Sequence, residues 1–168
     1  MCARQYPRNR VIRVRLRQAT SADDEFCFRL NEAALREYVE PVYGWDPDVQ
    51  HRYHAEWFDA DRLSIIEDDD GRAVGVVDMT DEGDHLYLSR IELLPEAQGR
   101  GLGTCVVRDL LRQDRPVRLH VFTNNVRARR FYEKLGFTVD RDADREHRVS
   151  MHHPGSPPDK SQGFGSPP

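Results

Sequence analysis

Ile91-Glu92-Leu93-Leu94-Pro95-Glu96-Ala97-Gln98-Gly99-Arg100-Gly101-Leu102-Gly103-Thr104 is the stretch whose reading decides the fold. An apolar strand ends near Leu93, a glycine-rich turn follows, and a helix starts at Leu102. Such a turn aims several backbone N–H groups into one concavity at the positive end of a helix, where a phosphate group binds well. Gly99, Gly101 and Gly103 let the backbone approach an anion with no Cβ in the way, and Arg100 adds positive charge. The spacing is GxGxG, so the dinucleotide fingerprint GxGxxG does not fit. No Gly-Lys-Ser/Thr follows, so the nucleotide-triphosphate loop does not fit either.

Outward from this turn, the hydrophobic periodicity predicts alternating strands and helices. Upstream, Ile12, Val14 and Leu16 alternate with arginines as a first strand. Ser21 and Asp24 form a weak capping box for a helix through Phe26, Leu30 and Leu35. A loop at 41–45 precedes Asp46 and Pro47, the start of a second helix carrying Val49, Tyr53 and Trp57 on one face. Residues 63–67 and 73–79 make a hairpin, and 85–93 is the strand feeding the turn. Downstream come a helix at 102–113, a strand at 117–122 and a helix at 126–134 stopped by Gly136. Two short strands at 137–141 and 148–152 close the chain. The fold class is a mixed α/β single domain, ordered β-α-α-β-β-β-α-β-α-β-β.

The 168 residues suffice for one domain with its own core, and 38% hydrophobic with 32% charged residues fits a folded chain with a charged surface. The expected division is a flexible Arg-rich segment at 1–10, a domain at 11–153 and a disordered tail at 154–168, where 11 of 15 residues are Pro, Gly or Ser. No apolar run approaches the roughly 20 residues of a membrane span, and the arginine-studded start lacks a signal-peptide core. Cys2, Cys27 and Cys105 suggest neither a disulfide framework nor a metal site. A cytoplasmic, membrane-free protein, monomer or homodimer, is expected. The net charge of −4 hides a segregation: residues 1–22 hold six arginines and no acid, whereas 37–84 hold fifteen acids against three arginines. That balance disfavours a nucleic-acid partner, and the acidic middle can attract a cationic ligand, with a solvated acidic surface the default reading for most of those residues.

Two motifs then carry a resemblance. Gln98-x-x-Gly101-x-Gly103 after a strand resembles the Q/R-x-x-G-x-G/A pyrophosphate motif of the GNAT N-acetyltransferases. Asn125-x-x-Ala128-x-x-Phe131-Tyr132-Glu133-Lys134-Leu135-Gly136-Phe137 resembles that superfamily's second hallmark, on the next strand–helix unit. The resemblance implies a mixed, splayed sheet flanked by about four helices. It also implies acetyl-CoA bound between the strands at 85–93 and 117–122, with no metal.

By the same resemblance, Leu93 offers backbone groups to the pantetheine arm and an N–H to the acetyl oxygen. Gln98, Gly99, Arg100, Gly101, Leu102, Gly103 and Thr104 hold the pyrophosphate. Asn125 contacts the arm of the coenzyme, and Tyr132 sits near the sulfur as general acid. Attack of an amine on a thioester requires a proton to leave the ammonium, a donor for the carbonyl oxygen and a proton for the thiolate. Three side chains are candidates for the base: His120, which titrates near pH 6.5 when unperturbed, Glu92 and Asp78. A base acting through water satisfies the chemistry equally. Tyr43 and Trp45 can stack on an acceptor and Glu40 can hold its cation, although packing under a loop is an equal reading for the two rings. The implied function is transfer of an acetyl group to a primary amine on a small molecule or peptide. The alternative is a non-catalytic acyl-CoA sensor on the same fold.

Overall fold

The computed structural model describes residues 14–155, apart from the side chains of 142–145. The whole Arg-rich segment at 1–10, with Ile12, and all but the first two residues of the expected tail lie outside the described residues.

In chain order the elements are β1 (Arg15–Gln18), α1 (Asp24–Tyr43), α2 (Pro47–Trp57), β2 (Ser64–Glu67), β3 (Ala73–Asp81) and β4 (Leu86–Leu93). There follow α3 (Leu102–Leu111), β5 (Val117–Phe122), α4 (Val126–Lys134), β6 (Thr138–Arg145) and β7 (Arg148–His153). This is the order the sequence predicts.

Two boundaries differ for local physical reasons. The capping box forms one residue earlier: a single 3₁₀ turn (Ser21–Asp23) precedes α1, and the Asp23 carboxylate accepts from the Thr20 N–H at 2.8 Å. The 41–45 loop does not begin at Pro41, because α1 continues to Tyr43. A proline near a helix end forfeits one backbone bond only, and the Gly44 N–H still closes on the Glu40 carbonyl at 3.0 Å.

The strands form one seven-stranded sheet in the order β1-β2-β3-β4-β5-β7-β6. Neighbours are antiparallel except β4 and β5, which run parallel. Their pairing is short: Leu86–Leu88 of β4 lie beside Val117–Leu119 of β5, and beyond that the two strands part. α3 and α4 cover one face through Leu102, Val106, Val107 and Tyr132 against Leu88, Leu119 and Met151. α1 covers the other face, setting Cys27 and Leu30 on Leu63, Ile65 and Val76. Leu30 is fully enclosed, and burying a leucine stabilises by about 2 kcal/mol.

One glycine is demanded by close packing. A Cβ on Gly75 of β3 would lie 2.4 Å from the Glu92 carbonyl oxygen and 2.6 Å from Leu93 Cδ2, so Gly75 lets β4 approach where it ends.

Candidate active site

Past Leu93 the chain turns once through Pro95–Ala97 and then passes two glycines in the left-handed region, Gly99 at φ 72° and Gly101 at φ 88°. Gly101 is the residue from which α3 starts. The first bond of that helix runs from the Cys105 N–H to the Gly101 carbonyl at 3.0 Å. The N–H groups of Leu102, Gly103 and Thr104 precede the ladder and point out of the helix end, the arrangement that binds a phosphate.

The side chains of this turn differ in what they do. Arg100 is exposed, Leu102 is buried in the core and Thr104 is half-buried. The Gln98 amide folds back and donates to the Leu93 carbonyl at 2.9 Å, which ties the turn to the end of β4. A Cβ on Gly103 would lie 3.5 Å from the Phe131 ring, so α4 packs directly on the first turn of α3.

The parting of β4 from β5 begins at an irregularity. Asp78 of β3 pairs with Arg90 and Met79 with Leu88, which leaves Ser89 as an extra residue in β4. Such a bulge shifts the alternation of side chains by one. Tyr87, Arg90 and Glu92 therefore share the sheet face that α1 covers, whereas Leu86, Leu88 and Ile91 belong to the core under α3 and α4. On β5 the same alternation puts His120 beside Tyr87: its Nδ1 lies 2.9 Å from the Tyr87 hydroxyl. Across the sheet His120 pairs with Ser150 of β7.

Tyr132 lies on the opposite face, on α4, 6% exposed. Its ring packs edge-on between Phe131 and Phe137, at 5.0 and 5.3 Å between centroids. Burial pushes its phenol well above the ordinary tyrosine range, so the hydroxyl stays protonated. Asn125 begins α4 and its Oδ1 accepts from the Ala128 N–H at 2.9 Å. That cap leaves the amide NH₂ outside the bond.

Glu92 is 5% exposed and Asp78 3%. The Glu92 Oε1 accepts from Arg90 at 2.5 Å and from the Asn31 amide of α1 at 3.1 Å. The acceptor-side candidates separate. Glu40 and Trp45 meet through Arg36, which bonds Glu40 at 3.3 Å and lies 5.5 Å from the Trp45 ring centre. Tyr43, 60% exposed, turns instead to His147 in the β6–β7 turn, 5.5 Å between rings. Much of the acidic middle has local work: Asp46 caps α2, Asp68 holds the β2–β3 turn, Glu67 bonds Arg17 and Asp81 bonds Arg115.

Sequence reasoning missed Tyr87, Arg90 and Trp57. Tyr87 and His120 stand on different strands with no motif between them, and their shared face depends on the bulge. Among the described residues no group of three or more His, Cys, Asp or Glu is placed to hold a metal ion. No described helix is long and apolar enough to cross a membrane.

The sheet opens between its two parallel strands, beside a helix start with unpaired N–H groups. The family model described as "Acetyltransferase (GNAT) family" matches residues 27–137, and the chain belongs to that family. It is 34% identical over 151 residues to a mycothiol acetyltransferase of Mycolicibacterium paratuberculosis, across 75% of this chain and 46% of that protein. It is 33% identical over 126 residues to one from Kytococcus sedentarius, across 68% and 42%. The chain thus spans about half the length of the curated relatives it matches.

Solved structures share the fold. The PaiA N-acetyltransferase of Thermoplasma acidophilum, in complex with coenzyme A, superposes at a TM-score of 0.67 with 14% identity over 86% of this chain and 99% of that one. The spermidine N-acetyltransferase of Vibrio cholerae, in complex with CoA and spermine, gives 0.62 with 19% identity over 83% and 94%.

Proposed function

We propose that the chain is an N-acetyltransferase that moves an acetyl group from acetyl-CoA to a primary amine in a ternary complex. The observation that carries this reading is the opening between β4 and β5 directly beside the unpaired N–H groups of α3. The pyrophosphate of the coenzyme would lie on Leu102, Gly103 and Thr104, with Arg100 alongside. Its pantetheine arm would run along the free edge of β4, where Leu93 would offer its backbone groups to the arm and its N–H to the acetyl oxygen. The Asn125 NH₂ is free for the arm.

An amine with pKa about 10 arrives protonated at neutral pH. The reading gives that proton to His120, whose Nδ1 lies 2.9 Å from the Tyr87 hydroxyl. The amine nitrogen then bonds the thioester carbon, the C–S bond breaks, and the leaving sulfur takes the Tyr132 proton. Tyr87 acts as a positioning residue, because its hydroxyl holds the His120 ring in place through Nδ1. Tyr43, Trp45 and Glu40 line the approach from the α1–α2 connection. The relatives named for mycothiol and spermidine acetylation support an amine of low molecular weight as acceptor.

The test is thiol release from acetyl-CoA with amines, polyamines and peptides, alongside calorimetry of acetyl-CoA binding. Binding together with amine-dependent thiol release is expected. Tight binding with no release on any amine would favour the sensor reading.

A further inference from the structure

A cavity of about 540 Å³ lies between the first turns of α1 and the last turns of α2. That is the size of a small-molecule site. None of the residues assigned above to the coenzyme or the acceptor lines it. Tyr43, the last residue of α1, stands roughly 28 Å along the helix from Asp24, at about 1.5 Å per residue.

The walls are of two kinds. Phe28 of α1 and Phe58, just after α2, supply aromatic surface, and the two helices meet there ring on ring. His51 lies flat against Phe28 at 4.1 Å between centroids. His54 stands edge-on to Phe28 at 5.3 Å and stacks on Phe58 at 5.5 Å. The polar wall is acidic: Asp24 and Glu25 are both exposed, and Glu25 bonds Arg29 through Oε1 at 2.6 Å. Among the described residues no lysine or arginine lines the cavity, so an anion meets repulsion there. His54, 8% exposed, is part of the same wall, and its buried Nδ1 has no hydrogen-bond partner. Its Nε2 meets Asp24 Oδ1. An ionised carboxylate only accepts, so Nε2 donates to it, and Nδ1 of the neutral ring is a lone pair without a donor. A protonated amine answers both features, because it brings an N–H and the charge that the carboxylates attract.

We propose that this cleft is a second ligand site, for an ammonium ion carried on an aromatic body: the charge lies at Asp24 and Glu25, and the ring lies against Phe28 and Phe58. The site shares no residue with the coenzyme opening, so it stands apart from the N-acetyltransferase reading.

The probe is N,N-dimethylphenethylamine. Its protonated tertiary nitrogen carries one N–H and forms no stable amide, so binding is measured without turnover. Titration calorimetry into the full chain should show one-site binding. Phenethyl alcohol, of similar shape without the charge, should bind at least about tenfold more weakly, and phenylacetate more weakly still. Asp24→Asn should weaken the amine at least about tenfold. Ala55→Phe keeps the Asp24–His54 pair and fills the cavity from an exposed position on α2, so it should abolish binding. Both variants are checked for cooperative thermal unfolding. No binding of the amine by the wild type overturns the proposal, and so does equal affinity for amine and alcohol. Unchanged affinity in folded Ala55→Phe overturns it as well, because the amine then sits elsewhere, as at the acceptor approach.

Discussion

Tyr132 and Tyr87 are two phenols with opposite legibility. Tyr132 could be found from the sequence, because it sits at fixed spacing in a motif that opens with Asn125 and ends at Phe137. Its environment adds a consequence. Wedged between Phe131 and Phe137, the phenol is held protonated by desolvation, so a general acid here loses no activity as pH rises through the neutral range. Tyr132→Phe keeps the ring and removes the proton. Turnover at saturating acceptor should fall about 10²-fold, with acetyl-CoA affinity and melting temperature nearly unchanged. Near-wild-type turnover would reduce Tyr132 to packing. Tyr87 was hidden because side-chain parity along β4 flips at Ser89, and alternation alone cannot reveal an inserted residue. Tyr87→Phe should slow turnover about tenfold and change the acidic limb of the pH–rate profile, since His120 loses the hydrogen bond that holds its ring. A profile that superposes on the wild type would contradict the positioning role. Glu92, a sequence candidate for the base, proves to be bound at one oxygen by Arg90 and Asn31, contacts no local pattern could show.

The elements themselves followed from periodicity, and their ends moved where a local bond outweighed a propensity. Pro41 failed to stop α1, and the capping box chose Thr20 and Asp23 over Ser21 and Asp24. Asp23 does more than cap. Arg17 of β1 donates to it at 2.6 and 2.8 Å and to Glu67 of β2 at 2.8 Å, joining β1, the first turn and β2. The Arg17 bond holds the Asp23 carboxyl at about 2, below its ordinary 3.8. A depressed carboxylate stabilises fully above its unfolded pKa and stops doing so as pH falls through the folded value. Arg17→Gln should therefore cost about 2 kcal/mol in urea unfolding at pH 6 and far less near pH 2. A cost equal at both pH values would show that the pair contributes nothing through charge. At the end of β4 the constraint is steric. Gly75→Ala forces a Cβ toward the Glu92 carbonyl, so the melting temperature should drop by several degrees, consistent with about 1–3 kcal/mol of overpacking. No turn or motif marks Gly75 in the sequence; only the approach of β4 does.

Across the whole molecule, the order of elements was legible from periodicity, and the splayed sheet from the resemblance carried by two motifs on successive strand–helix units. Which face each side chain occupies, and how the acids of 37–84 are shared among caps, turns and ion pairs, depended on long-range register. The same architecture concentrates the central claim at one place: the parted strands β4 and β5 and the start of α3 form the coenzyme site. Gly101 holds α3 at φ 88°, a conformation a β-branched residue resists, and its replacement also obstructs the unpaired N–H groups beside it. Titration calorimetry of acetyl-CoA into the wild-type chain and into Gly101→Val, each checked for cooperative thermal unfolding, tests that claim most directly. The account predicts saturable one-site binding by the wild type and at least a hundredfold weaker binding by the folded variant. Absence of binding by the wild type, or equal affinity in the two folded proteins, would contradict it.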